Sequence, residues 1–274
     1  MILSTFSFTL MSSLIKLLAD FHSFELVFFR CLGSLIICLV FLKVKKIPIL
    51  GNQRKLMIVR GVVGVISMLM FFAALRIMPL GTTVSLRYLA PIFTGIFSIF
   101  LLKEVLKPIQ WLYFIISFIG VAMLKGFDLR VSVIGLVLIL GAAMFSGLVY
   151  ILLRAIGDKD HPVVVVNYFM MIATLVGGLG AISVWKHPSG VEWILLLSLG
   201  FFGYIGQLYM TKAFQIEKAT KVAPMKYMEA IFALLAGWLW FGEGYSLLAI
   251  IGMFLVVAGM LLNMITKSKE IIDA

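Results

Sequence analysis

Residues 132–153 have the sequence SVIGLVLILGAAMFSGLVYILL and carry no charged side chain. A helix needs about 20 such residues to cross the roughly 30 Å hydrocarbon layer of a bilayer. The spans of a membrane β-barrel are about ten residues long and alternate in polarity. This run is longer and is continuously apolar. It therefore predicts a transmembrane α-helix.

Nine further runs of this kind lie along the chain, separated by short polar or Gly- and Pro-containing segments such as 157–162 and 186–190. We interpret the first run as a retained helix, because no basic segment or small-residue cleavage site marks a signal peptide. The fold class is thus an all-α integral membrane protein with no room for a soluble domain. The ten predicted spans are 1–19, 25–43, 56–76, 81–102, 109–125, 132–153, 163–184, 191–213, 220–241 and 246–265.

The composition of the whole chain agrees with this fold class. Its 274 residues are 63% hydrophobic and only 13% charged, with a mean hydropathy of +1.15. A soluble domain of this size is about half apolar and about a quarter charged. The net charge of +11 is spread along an apolar chain, so it indicates cytoplasmic loops and not a nucleic-acid partner.

The distribution of lysine and arginine predicts the orientation. With the N-terminus inside, fifteen basic residues fall in cytoplasmic segments and four in outer segments. This bias predicts that both termini are cytoplasmic. The cytoplasmic set is Lys43, Lys45, Lys46, Arg54, Lys55, Arg60, Lys103, Lys107, Arg154, Lys159, Lys212, Lys218, Lys221, Lys267 and Lys269, and the outer set is Arg76, Lys125, Arg130 and Lys186.

The chain partly matches itself after a shift of 139 residues, with no gap. The shift carries the first five predicted spans onto the last five. Because five is odd, the second half must cross the membrane with the opposite polarity, as in the inverted repeats of secondary transporters. The matching pairs include His22 with His161, Ala74 with Ala213, Arg87 with Lys226, Tyr88 with Tyr227, Phe93 with Phe232 and Glu104 with Glu243.

Several of these segments resemble a known family. They are residues 24–30 (FELVFFR), 73–80 (AALRIMPL), 88–93 (YLAPIF) and 103–104 (KE), echoed by 213–214 (AF), 227–232 (YMEAIF) and 242–243 (GE). The chain is similar to ten-helix members of the drug/metabolite transporter superfamily, of the EamA type. The resemblance implies two inverted five-helix repeats, residues 1–130 and 131–274, around a central cavity lined by both halves.

Two arginines lie inside predicted spans. Arg30 is about five residues into the second span and Arg87 about six into the fourth, roughly 8–9 Å from the outer surface at 1.5 Å per residue. Charges at such depth usually face a bundle interior or a wet cavity. One hypothesis is an electropositive vestibule that binds a carboxylate or phosphate through the guanidinium fork. The alternative is structural, with Arg30 paired with Glu25 or capping carbonyls.

Lys226 and Glu229 are three residues apart and share one face of the ninth span. They form either a neutralising pair that makes insertion tolerable, or a functional pair. In the functional interpretation Glu229 takes up and releases a proton for coupling, or binds an ammonium group.

Polar side chains at helical spacing supply further candidates. Tyr150, Tyr204 and Gln207 are candidate cavity residues, since a lipid-facing glutamine is unfavourable. Residues 60, 64, 67 and 71 form another such stripe, and Pro91 and Pro224 interrupt corresponding spans of the two halves. The complete predicted substrate-binding set is Arg30, Arg87, Tyr88, Tyr150, Tyr204, Gln207, Lys226 and Tyr227, with Glu229 for proton coupling.

The sequence contains no Gly-x-x-x-x-Gly-Lys-Ser/Thr loop, so ATP hydrolysis is not indicated. We expect no metal and no cofactor, and interpret His22, His161 and His187 as solvated loop residues. The predicted function is a secondary transporter in the plasma (inner) membrane. It would move a small polar metabolite, of amino-acid or organic-anion type, by alternating access with candidate proton coupling. The alternative is a membrane enzyme or a flippase for lipid-linked substrates. The oligomeric state does not follow.

Overall fold

The computed structural model describes residues 1–102, 108–109, 112–113, 115–116, 119–120, 123, 132–216, 226, 228–242, 244 and 246–266. These residues are helical or lie in short connections, and the structure assigns no strand to them. The first-half helices are α1 (Ile2–Leu17), α2 (Ser23–Val44), α3 (Arg54–Ile77), α4 (Leu80–Arg87) and α5 (Ala90–Leu102). The second-half helices are α6 (Val133–Ile156), α7 (Pro162–Ala181), α8 (Val191–Ile216), α9 (Met228–Phe241) and α10 (Leu247–Ile265), and a 3-10 turn (Gly157–Lys159) follows α6.

The helices have the lengths and surfaces of membrane spans. Within the described ranges, α2, α3, α6, α7 and α8 are long and apolar enough to cross a bilayer. Their outer faces expose large apolar side chains, such as Leu179 (70% exposed) and Ile194 (66%). A soluble monomer rarely exposes apolar surface on this scale. The prediction of an all-α fold is therefore confirmed for the described residues. The predicted fifth span, 109–125, lies largely outside them, and its described residues are helical.

The predicted fourth span, 81–102, is not one helix. It breaks between α4, which ends at Arg87, and α5, which begins at Ala90. Pro91 explains the position of the break, because proline has no N–H to donate to the carbonyl of residue 87 and fits best in the first turn of a helix. The sequence indicated an interruption at Pro91, and the break lies at residues 88–89, just before this residue.

Two helices at matching positions of the halves begin with the same histidine cap. His22 Nδ1 accepts a hydrogen bond from the Phe24 N–H, and His161 Nδ1 accepts one from the Val163 N–H, both at 3.3 Å. Each bond satisfies one of the free N–H groups at a helix start. The histidines lie in connections, as expected, but the sequence analysis did not predict their capping role. They are the pair that the 139-residue shift aligns.

The two halves pack against each other through matching helix pairs. α2 packs on α7, which are each other's counterparts under the shift. Three further contacts between the halves recur when the halves are exchanged. The α3–α6 contact corresponds to the α8–α1 contact, and the α2–α8 contact corresponds to the α7–α3 contact. The α5–α6 contact corresponds to the α9–α1 contact. The core thus lies between the halves, and each helix of one half meets helices of the other.

Acidic side chains join connecting segments at two places. In the Asp160 cluster, this carboxylate accepts the backbone N–H groups of Asn52 (2.6 Å) and Gln53 (2.9 Å). In the Glu25 cluster, the carboxylate accepts the N–H groups of Lys186 (2.6 Å) and His22 (2.9 Å). Both carboxylates are buried. Each cluster therefore ties a segment of one half to a segment of the other.

Candidate functional site

A cavity of about 50 Å³ lies between the halves. Helices α1 to α4 supply one wall and α6 to α8 supply the other. Phenylalanine and methionine side chains form much of its surface, and no aspartate or glutamate occurs among the lining residues that the structure describes. The polar residues of the lining are Arg30, Arg60, Ser67, Arg87, Ser146, Tyr150 and Gln207.

Arg30 is 3% exposed and lies on α2. Its Nε donates to Met11 Sδ at 3.2 Å, and its Nη1 contacts Cys31 Sγ and Met68 Sδ. Sulfur is a weak acceptor, so the guanidinium has no strong partner among the described residues. The predicted structural alternative, a pair with Glu25, is wrong, since that carboxylate caps α2 and binds the Lys186 N–H.

Arg60, on α3, was counted from the sequence as a cytoplasmic charge. The structure shows that it is not a loop charge, because its side chain is 1% exposed and lines the cavity. Its guanidinium lies 4.4 Å from the centroid of the Phe169 ring, in a cation–π arrangement. Its Nε and Nη1 are buried and have no hydrogen-bond partner among the described residues.

Arg87 is the last residue of α4, directly before the break that Pro91 produces. Its guanidinium lies 4.1 Å from the centroid of the Phe71 ring. Its Nε is buried without a partner in the described part of the chain. The helix end therefore holds a third cation at the cavity, as the sequence predicted.

Lys226 and Tyr150, two candidate site residues of the second half, are hydrogen-bonded to each other. Lys226 Nζ lies 2.5 Å from Tyr150 Oη and donates to it. The Tyr150 ring stacks on Phe214, with centroids 4.9 Å apart. Because Tyr150 lines the cavity, this hydrogen bond holds the ammonium group of Lys226 beside a residue of the cavity wall.

Glu229, in the first turn of α9, is 2% exposed. Its Oε1 has no hydrogen-bond partner among the described residues. The charges of Lys226 and Arg87 both act on its carboxyl group. Among the described contacts, no hydrogen bond joins Lys226 to Glu229, because the ammonium donates to Tyr150 instead.

The structure brings some of the predicted residues together and leaves others apart. Gln207 lines the cavity, and its Nε2 is buried without a partner in the described residues. Tyr88 is buried and Tyr204 half-buried, but neither belongs to the described lining. Tyr227 lies outside the described residues.

Ser67 and Ser146 also line the cavity, although the predicted substrate-binding set did not include them. Their hydroxyls are hydrogen-bonded to each other at 2.8 Å in the cavity wall, and Ser67 Oγ also lies 2.8 Å from the Ala142 carbonyl, to which it donates. A signal was present in the sequence, because Arg60 and Ser67 belong to the polar stripe on α3. The spacing of that stripe showed which residues share one face of α3, but not which helices pack against that face.

An apolar helical bundle with a cationic cavity between its halves is typical of one class, the integral membrane transport proteins. Known proteins agree. The pseudopaline exporter CntI of Pseudomonas aeruginosa is 30% identical over 97% of this chain and 95% of its own length. The S-adenosylmethionine uptake transporter of Rickettsia prowazekii is 28% identical over 91% of this chain and 85% of its own.

The sequence profile of the EamA-like transporter family matches residues 1–125 and 133–265. This chain belongs to that family, as the sequence motifs indicated, and is a membrane transporter and not an enzyme. A solved crystal structure of 19% identity covers 94% of both chains with a TM-score of 0.69, which supports the fold alone.

Proposed function

We propose that this protein is a secondary transporter of the plasma membrane that moves a small polar metabolite with an anionic group by alternating access. One observation carries the proposal: two buried arginines, Arg30 and Arg60, and the half-buried Arg87 converge on a cavity whose described lining has no carboxylate. An uncompensated charge inside a membrane protein is expensive and usually marks a functional site. A bound carboxylate or phosphate would satisfy these guanidinium groups.

The proposed architecture is two inverted five-span repeats, residues 1–130 and 131–274, with both termini cytoplasmic. Three observations support it. The helix pairs between the halves recur when the halves are exchanged. The aligned residues His22 and His161 cap equivalent helices. The family profile matches in two segments that meet near residue 130.

Alternating access is supported by the size of the cavity. A volume of about 50 Å³ has room for only a few water molecules, since each needs roughly 10–15 Å³ on this measure. A metabolite therefore needs the halves to move apart before it enters. The Asp160 and Glu25 clusters, which join the halves, are the contacts that would open in turn.

Glu229 is the proposed proton-coupling group. Its carboxyl is buried beside two cations and has one oxygen without a partner among the described residues. An anionic substrate bound at Arg87 would change the electrostatic potential at the carboxyl group of Glu229. Proton and substrate occupancy would then be linked, as coupling requires.

Uptake by proteoliposomes tests the proposal. Purified protein is reconstituted and supplied with labelled organic acids and amino acids, with and without an inward pH gradient. We expect saturable uptake of at least one anionic compound, reduced in the Arg87→Ala variant and retained in Arg54→Ala, which changes an exposed arginine of α3. Uptake limited to cations or neutral compounds would contradict the proposed substrate class.

The flippase alternative gives a different result in the same vesicles. A flippase moves a labelled lipid-linked headgroup between leaflets and leaves water-soluble anions outside. The cavity described here is lined by helices of both halves, which favours a soluble substrate. Scrambling of a labelled lipid without uptake of any soluble anion would favour the flippase.

A further inference from the structure

The cavity carries more positive charge than a substrate with a single anionic group requires. Arg30, Arg60 and Arg87 line it, and Lys226 reaches its wall through Tyr150. Among the described groups, Glu229 is the carboxyl that interacts with these cations. Four cations and one carboxylate leave a formal excess of three positive charges.

The carboxylate of Glu229 offsets positive charge on one side of the cavity only. Glu229 interacts with Arg87 and Lys226. Arg60 is repelled by Arg30, and the buried Cys31 thiol beside Arg30 is uncharged and balances neither arginine. Arg30 in turn interacts with that thiol and with Arg87. The pair of Arg30 and Arg60 is therefore the uncompensated end of the cavity.

The same aromatic ring holds this pair. The guanidinium carbon of Arg60 lies 4.4 Å and that of Arg30 lies 5.6 Å from the centroid of the Phe169 ring. Arg87 lies instead over a different ring, that of Phe71, at 4.1 Å. The arginines thus form two groups on two rings, one on α7 and one on α3.

The donors of Arg60 are free for a ligand. Its side chain is 1% exposed, and its Nε and Nη1 have no partner among the described residues. Arginine has five N–H donors in a rigid fork that suits a carboxylate or phosphate. The nearby Gln207 Nε2 is also buried and without a partner in the described part of the chain.

We propose that Arg60 and Arg30 form a second anion subsite, so that the substrate carries two anionic groups. One group binds Arg30 and Arg60 beside Phe169, and the other binds Arg87 and the Lys226–Tyr150 pair. The substrate class is a small dianion, such as a dicarboxylate. This inference rests on the proposed transport of an anion and narrows it.

A matched series of ligands tests the second subsite. The probes are malonate, succinate and glutarate, each compared with its own monoamide, which has the same length but one negative charge. Apparent dissociation constants come from thermal-shift titration of the purified full chain in detergent. For the best chain length, we expect the dicarboxylate to bind about tenfold more tightly than its monoamide.

Arg60→Gln should reduce this ratio to about one, because the second carboxylate of the ligand then loses its guanidinium fork. Arg54→Gln, an exposed position on the same helix, should keep the wild-type ratio. Without ligand, Arg60→Gln should unfold at the same temperature as wild type or higher, because it removes an uncompensated buried charge. A merely structural arginine would give a lower unfolding temperature.

Arg60→Lys provides a second variant if the glutamine variant does not fold. It keeps the charge but loses the fork, so the ratio should fall to an intermediate value. Equal binding of dicarboxylate and monoamide by wild type, or a ratio that neither variant lowers, would overturn the second subsite and leave a monoanion site intact. Failure of wild type to bind either form at any length would contradict the proposed anion transport as well.

Discussion

The arginines of this protein serve two different purposes. Arg76 is structural, since its Nε donates to the Ala19 carbonyl at 2.9 Å and so ties the end of α3 to the α1–α2 connection. Arg30, Arg60 and Arg87 have no oxygen acceptor among the described residues, although all three lie inside the bundle. Unsatisfied buried donors and charges reduce stability, so their retention fits a site that is completed by a ligand.

Replacing Arg87 with alanine should weaken substrate binding and preserve folding. The side chain packs on Phe71 and has a free buried Nε in the described structure, so its loss removes a ligand contact without leaving a protein partner unpaired. We expect the half-saturation concentration for anion uptake to rise about tenfold or more. Uptake kinetics identical to wild type would remove Arg87 from the site.

Replacing Glu229 with glutamine should abolish the stimulation of uptake by an inward pH gradient. Glutamine keeps the size and one acceptor but cannot release a proton in this pH range. Exchange of labelled for unlabelled substrate, which needs no net proton movement, should persist. The measurement is uptake at a series of external pH values, and a wild-type pH profile in this variant would exclude Glu229 from coupling.

Depth along a predicted span pointed to Arg30 and Arg87 but not to Arg60, and all three line the cavity. All three positions follow from counting residues from the ends of apolar runs. Arg60 lies close to the start of its run, where a lysine or arginine usually reaches the membrane surface. The direction in which a helix faces depends on its neighbours, and a single sequence does not contain that information.

The helices approach closely where both partners lack side chains. A Cβ added to Gly200 of α8 would lie 2.8 Å from the Cα of Gly33 on α2. The corresponding contact in the other half is that of Gly61 on α3 with Ile172 on α7. Small residues at such crossings are the usual means of tight packing between membrane helices. The sequence showed these glycines but not which helices cross at them.

Gly200→Val should destabilise the fold by about 1–3 kcal/mol, the usual cost of overpacking. The added side chain would meet the backbone of α2, which cannot rotate away. Leu197→Val on the same helix is the control, since Leu197 is 63% exposed. The measurement is the thermal unfolding temperature in detergent. An equal effect of both substitutions would argue against the close crossing of α2 and α8.

The sequences of the two halves match after the 139-residue shift, but the cavity between the halves is not symmetric. The shift places Phe169 at the position of Arg30, Leu199 at that of Arg60 and Lys226 at that of Arg87. Two arginines of the first half thus have apolar counterparts in the second. The 139-residue match indicated the repeat, and the apolar runs indicated most of the helices. The asymmetric site arises where the halves diverge, so the repeat alone did not locate it.

Loosening one of the two acidic clusters should open the molecule on one side. Asp160→Asn weakens the bonds to the N–H groups of residues 52 and 53, and Glu25→Gln weakens those to residues 22 and 186. A cysteine at the cavity position Ser67 reports access. We expect Glu25→Gln to speed its labelling by an impermeant maleimide from outside, and Asp160→Asn from inside, each several-fold. Equal labelling from both sides in both variants would contradict these assignments, and the chain without Ser67→Cys gives the background.

Sidedness of labelling at Asp20 and Lys159 tests the central claim, two halves of opposite orientation, most directly. These exposed residues lie beside the two capping histidines and are aligned by the shift. Asp20→Cys should react with an impermeant maleimide in intact cells. Lys159→Cys should react only after permeabilisation. Labelling of both cysteines from the same side would contradict the inverted architecture.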